Sequence, residues 1–298
     1  MCFLGQQMVF EEAEQTFMHL LGTKVNAKQI ERVCHYYGQQ AEDDLQQSIS
    51  RSGTISNVDT KSCYAMLDGG MIFTREEKWK EMKVARFFDK QNHVTISKDR
   101  NYIGHSIYVA HLGNHLDFLK KAEHYLDRKG NVIFIADGAR WIWRWVEAMY
   151  PESTQILDFY HAKQHLCQYA DTAIRDKARK QKWLNDQTFL LLNDGIEIVI
   201  ENIKEIKRGS GNARSEKKKI LEYYSENKER MKYKTCKEQG LMIGSGPIEA
   251  AHRNVIQQRM KLSGQRWTKK GAQQMANLRV LNKSNQWGKV NDFIEMAA

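Results

Sequence analysis

Proline is scarce: Pro151 and Pro247 are the two in 298 residues, so long stretches carry no strong breaker of helix or strand. Cysteine builds no framework either. The five, at positions 2, 34, 63, 167 and 236, are odd in number and scattered, and none forms a C-x-x-C pair. That argues against a disulfide scaffold and a thiolate zinc site. No apolar run approaches the length that spans a bilayer. The opening Met1-Cys2-Phe3-Leu4 lacks the basic stretch and long apolar core of a secretory signal. The expectation is an intracellular, cytoplasmic protein. With 41% hydrophobic and 28% charged residues, the chain has ordinary globular composition. Its length suits one large domain or a core plus a smaller module.

Charge is plentiful but uneven. The formal net charge is +10. Residues 1–60 hold eight acidic against four basic side chains, whereas residues 250–298 hold nine basic against two acidic. A basic C-terminal segment suits a polyanion such as DNA. A solvated helix face explains it equally well.

The pattern of apolar residues predicts a helix over 9–20. A second follows from an N-cap at Asn26 through about Tyr37, ended by Gly38. Residues 1–40 thus resemble a small helix-turn-helix unit, although its acidic balance argues against strong phosphate contact. Residues 41–61 are polar and read as a linker. Short apolar runs at 62–68, 83–88 and 102–109 are strand candidates, and 112–128 has helical spacing. Asn131 to Asp137 is the clearest buried strand, and a helix carrying Trp141, Trp143 and Trp145 follows it. Residues 155–159 form another strand candidate. From about 161 to 232 the pattern is helical and charged, broken at 208–212. Together these indicate an α/β core with a mixed sheet and an all-helical segment late in the chain.

Three acids stand where chemistry could be done. Asp68 and Asp137 each close an apolar run and precede a glycine. In an open α/β sheet, such strand ends aim side chains at a shared mouth. An aspartate before glycine is also an ordinary turn signal. Glu249 lies in Gly244-Ser245-Gly246-Pro247-Ile248-Glu249, three residues into a helix that Gly246 caps and Pro247 begins. Bonding back to free backbone N–H groups is a sufficient reason for a glutamate there. Three carboxylates around one mouth would suit Mg²⁺, with Mn²⁺ as a substitute. Asp158 and His161 form D-x-x-H at the end of the next strand candidate. They would serve as a pair buttressing the metal site or as a polar contact at a helix start. His161 and His165 have the i, i+4 spacing of half a zinc site, but no third nitrogen or sulfur ligand lies at a supporting distance in sequence. Arg253 falls one turn past Glu249, followed by Arg259, Lys261, Arg266, Lys269 and Lys270 with Trp267 among them. Cations beside an aromatic suit a phosphate backbone and a stacked base.

The series L-D-G-G at 67–70, I-A-D-G-A-R-W-I-W at 135–143, L-D-F-Y-H-A at 157–162, I-G-S-G-P-I-E-A at 243–250 and S-G-Q-R-W at 263–267 resembles bacterial insertion-sequence transposases of the ISKra type. These belong with the wider DDE transposases, which include the Mutator-like and hAT groups. The resemblance covers about residues 10–290, and five motifs in order make it specific. It implies a ribonuclease-H-like core over 62–162, a helical insertion over 163–240, and a segment over 241–298 that carries Glu249 and the DNA contacts. Asp68, Asp137 and Glu249 would be the DDE triad, with Asp158 and His161 as the accompanying D-x-x-H feature. The activity implied is cleavage at element ends and joining of the 3′-hydroxyl to target DNA, by a homodimer on DNA at the bacterial nucleoid. Family members usually carry more chain ahead of the helical unit, so an N-terminally truncated copy is expected. A DNA-binding protein without catalysis and a ribonuclease-H-like nuclease are the alternatives.

Overall fold

The computed structural model describes residues 1–51, 59–97, 100–127, 129–206 and 211–297. The chain is a mixed α/β protein with a five-stranded mixed sheet of order β5-β2-β1-β6-β7. It divides into two compact units, Met1–Val132 with Pro247–Ala298, and Ile133–Gly246. No helix among the described residues is long and apolar enough to cross a membrane.

The first unit opens with α1 (Cys2–Gln7), α2 (Phe10–Leu21) and α3 (Ala27–Arg51). Asn26 caps α3 as expected, its Oδ1 accepting from Gln29 N at 2.8 Å. The helix does not stop at Gly38, however. It continues to Arg51, through much of the stretch read as a linker, and residues 52–58 lie outside the described residues. Ile30, Cys34, Gly38 and Ala41 recur at helical spacing and are buried. Gly38 serves packing rather than termination. A Cβ there would run into the backbone carbonyl of Gln274 on α13 (Lys269–Lys283).

The strands of this unit are β1 (Asp59–Thr74), β2 (Lys78–Asp89), β3 (His93–Ser97), β4 (Arg100–Ile103) and β5 (Ile107–Leu112). β1 and β2 form a long antiparallel hairpin with Asp68 opposite Val84 and Thr74 opposite Lys78. β2 pairs antiparallel with β5, and β3 with β4 as a separate two-stranded ribbon. The single strand expected over 102–109 is therefore two, on different sheets. Between them, Ser106 Oγ accepts from Arg86 Nε at 3.0 Å. Residues 82–88 of β2 are all buried, the mark of a strand covered on both faces. After α4 (His115–Leu126), β6 (Lys129–Ala136) begins.

The end of the chain completes this unit with α11 (Gly246–Ala251), a π-helical turn (His252–Gln257), α12 (Gln258–Met260), α13 and α14 (Gly288–Ala297). α13 packs on α3 and β5 and satisfies the free edge of β5. Gln273 accepts from Leu112 N at 2.8 Å and donates to Ala110 O at 3.1 Å, and Ser284 Oγ accepts from Tyr108 N. An edge covered in this way cannot pair with another chain.

In the second unit, Ile133–Ala136 of β6 pairs parallel with β7 (Thr154–Leu157). α5 (Arg140–Met149) joins them, burying Trp143 and Trp145. The rest is helical: α6 (Phe159–Ala173), α7 (Lys177–Leu192), α8 (Ile196–Glu205), α9 (Gly211–Asn227) and α10 (Tyr233–Glu238). The expected break at 208–212 falls mostly on residues that are not described; α9 begins at Gly211. Tyr224 of α9 donates to Ala162 O of α6 at 2.9 Å, fixing one helix on the other.

Candidate functional site

Asp68 does not end its strand. It sits within β1, and both glycines that follow keep the strand pairing, opposite Lys83 and Met82. They are small for reasons of packing. A Cβ on Gly70 would lie 2.8 Å from His252 Nδ1, and one on Gly69 would collide with the Glu81 carboxylate. Gly70 shares a face with Asp68 because side chains alternate along a strand. His252 thus lies over this face, its Nε2 3.6 Å from Asp68 Oδ2. Asp68 Oδ1 accepts from Gly69 N at 2.7 Å, and the side chain is 33% exposed, enough to meet a ligand from solvent. His252 is buried, and its Nε2 has no hydrogen-bond partner among the described residues.

Glu249 is exposed in the first turn of α11 and stands one turn ahead of His252. Residues three apart on a helix are neighbours, so Glu249 and His252 lie on one side of this helix. The helix start is pinned by Arg86 of β2, whose Nη1 donates to Pro247 O at 3.0 Å. Arg86 is itself buried between Phe88 and Tyr108, each ring centre 5.4 Å from the guanidinium. The helix then widens to a π-turn at His252–Gln257, an irregularity common at functional sites. Sequence reasoning missed both His252 and Arg86. A histidine three residues after the glutamate was the available signal; Arg86 in an apolar run offered none.

In the second unit, Asp137 follows directly on β6. Its Oδ1 accepts from Ala139 N at 2.9 Å, and its carbonyl accepts from Trp143 Nε1 at 2.6 Å. Here too the glycine after the acid makes room, since a Cβ on Gly138 would run into the Tyr223 ring. That ring lies 4.3 Å from His165. Burial, then the neighbouring His161, lowers the His165 pKa. Burial, followed by Asp137 and Asp158, raises that of Tyr223. The Tyr223 hydroxyl is buried without a hydrogen-bond partner among the described residues.

Asp158 is fully buried and both its oxygens are engaged. One caps α6 through His161 N at 2.7 Å, and the other accepts from Ser245 N. Phe159 N donates to Ile243 O at 2.9 Å, so the Gly-Ser-Gly lead-in is clamped to the start of α6. Of the two roles expected of D-x-x-H, the polar contact at a helix start is the one these bonds describe. His161 contributes its backbone N–H to it.

The basic residues divide. Arg253, Lys261, Arg266 and Lys270 are exposed, and Lys269 is half-buried with its ammonium on Glu77. Arg259 and Trp267 are buried, 1% and 8% exposed, and do not lie on the open surface as contacts to a DNA backbone and a stacked base would. Arg259 Nε donates to Gly5 O at 2.9 Å and Trp267 Nε1 to Met260 O at 2.9 Å. A charged side chain stays buried when hydrogen bonds and ring faces replace water. Arg259 has both, lying 4.7 Å from the centre of Phe10 and 5.2 Å from that of Trp267.

Among the described residues, no group of three or more His, Cys, Asp or Glu side chains stands together in a metal-holding arrangement. In the first unit, Asp68 and Glu249 present oxygens at least partly open to solvent, the donor type magnesium takes. In the second, the Asp137 carboxylate is half-buried.

Residues 90–293 match a family model described as Uncharacterised protein family (UPF0236). No curated protein matches the sequence. Among solved structures, the chain has a likeness to the Drosophila P element transposase strand transfer complex. Sequence identity is 12%, coverage is 94% of this chain and 84% of that chain, and the TM-score is 0.27. A score so low carries no weight for fold or function.

Proposed function

The chain belongs to the Uncharacterised protein family (UPF0236), and we propose that it is a DDE-type DNA transposase whose Asp68, Asp137 and Glu249 are the metal-binding triad. The observation that carries this reading is the meeting of Asp68 with His252, one turn after Glu249, across a strand position kept open by Gly70. The contact lies between residues far apart in sequence, and that it sets Glu249 beside Asp68 is part of the proposal. Asp137 enters on the motif and on its place at the end of β6.

Magnesium bound by these carboxylates would supply charge neutralisation at the phosphate and a more acidic water. The chain's own residues do the rest. Gly69 N holds the Asp68 carboxylate in place with His252 lying beside it, Ala139 N holds that of Asp137, and Arg86 fixes the helix that presents Glu249. Arg253, Lys261, Arg266, Lys269 and Lys270 supply cations for the DNA backbone. In the reaction, water displaces the 3′-oxygen of a phosphodiester at the element end, leaving a 3′-hydroxyl and a 5′-phosphate. The hydroxyl then displaces the 3′-oxygen of a target phosphodiester in the same way. A homodimer holding two ends would carry out both steps.

The test is Mg²⁺- or Mn²⁺-dependent nicking and strand transfer on DNA that carries candidate element ends. Asp137→Asn should abolish both while DNA binding survives. Cleavage unchanged in that variant overturns the assignment. Salt-dependent DNA binding with no nicking by the unaltered chain would mark a transposase-derived binding protein, and cutting without joining would mark a ribonuclease-H-like nuclease.

A further inference from the structure

In the first unit, a cavity of about 290 Å³ opens among α2, α3, the β1–β2 turn and the segment before α13. None of Asp68, Asp137 and Glu249 lines it, so a ligand bound there is independent of whether those acids cut DNA. Two side-chain nitrogens of its lining residues are buried and unpaired among the described residues. Arg259 is 1% exposed, yet its Nη2 makes no hydrogen bond among the described residues, and the same holds for Nε2 of His35. Burial lowers the Arg259 pKa only to about 10, so the guanidinium is cationic at neutral pH. A buried charge with an unsatisfied N–H is costly unless something supplies an acceptor.

Arg75 and Arg266 add two exposed guanidinium groups to the same lining. Arg75 Nε donates to Arg266 O at 3.2 Å, which ties the two segments together at the opening. Glu11 and Glu31 also line the cavity, and they count against an anion. Glu11 is exposed to water, however, and Glu31 is engaged by Lys28 at 2.7 Å. The Phe10 and Trp267 rings, inclined at 73° to one another, both lie against the Arg259 guanidinium, and the low-dielectric surroundings strengthen its attraction for any anion admitted.

We propose that this cavity binds a phosphate group, held deep by Arg259 and His35 and at the opening by Arg75 and Arg266. Phosphate fits better than a monatomic anion because its oxygens can accept from several donors at once. Guanidinium forks also match the spacing of its oxygens. The group could be free phosphate or the terminal phosphate of a nucleic-acid strand.

The experiment is isothermal titration of the full chain with inorganic phosphate at constant ionic strength. Saturable binding at one site is expected. Arg259→Lys and His35→Phe should each weaken it, by about tenfold or more for the arginine. Circular dichroism identifies a variant that fails to fold, and the other then decides. Displacement of phosphate by a 5′-phosphorylated oligonucleotide but not by its 5′-hydroxyl counterpart upholds the site and assigns a strand end. Displacement by neither upholds it and assigns free phosphate. No saturable binding to the unaltered chain, or binding unchanged in every folded variant, overturns the proposal.

Discussion

Replacing Gly38 with alanine tests how α3 meets α13. In an exposed helix the change would help, because alanine is favoured over glycine by about 1 kcal/mol. At Gly38 the new methyl group would point at the Gln274 backbone, meeting the carbonyl oxygen, its carbon at 2.7 Å and the Cα at 2.9 Å. These atoms belong to a helix backbone and cannot rotate aside as a side chain can. Relief requires α3 and α13 to move apart, which also stretches the 3.0 Å bond from Asn277 Nδ2 to Gly38 O. Overpacking of this kind costs roughly 1–3 kcal/mol, and a strained buried hydrogen bond adds up to about 1 kcal/mol. Set against the gain in helix propensity, the net expectation is a loss of about 2 kcal/mol, or a few degrees in melting temperature. Urea and thermal unfolding followed by circular dichroism measure it. Gly288→Ala, at the start of α14, is the control: a Cβ there meets nothing within 4 Å, so the change should not destabilise and should gain at most about 1 kcal/mol. A Gly38→Ala protein as stable as the unaltered one would refute the close approach of the two helices.

Asp158→Ala should destabilise the second unit by about 2 kcal/mol, since it removes the cap of α6 and leaves Ser245 N unpaired; urea unfolding reads the loss, and Asp158→Asn should recover part of it. His252→Ala should lower metal-dependent cleavage by about 10–100-fold, as loss of a group that positions a metal ligand does. DNA binding measured by anisotropy should hold, and wild-type cleavage would remove His252 from the site. Burial, helped by Lys121, lowers the His111 pKa from 6.5 to about 4. Between those values the unfolded chain binds the extra proton, so stability should decline as pH falls from about 6.5 toward 4. His111→Phe should flatten that part of a stability–pH curve, and an unchanged slope would show that other groups set it.

Local pattern alone carries far in this chain. The apolar run that ends at Asp137, the helical spacing after Asn26 and the Gly-Pro start of the Glu249 helix all describe nearest neighbours along the backbone. Backbone conformation and capping answer to those neighbours directly, and each of these features is found, although the helix after Asn26 runs on past Gly38 to Arg51. The acids themselves were legible in the same way, as charged groups set against apolar runs and glycines.

Glycine marks where that reading stops. Gly38, Gly70 and Gly138 each look like a terminator or turn beside a helix or an acid. In the folded chain they are places where Gln274, His252 and Tyr223 come close. A sequence shows that a side chain is missing; only tertiary contact shows what occupies the space. The same holds for Arg259 and Trp267, which a basic, aromatic segment offers to DNA and the fold instead buries against Gly5, Phe10 and Met260. Composition and spacing determined that this is a mixed α/β chain with prominent acids and a cationic end. Which cations face water, and that Asp68 has a histidine for a neighbour, depended on residues far apart in sequence, because burial is decided by what packs on top.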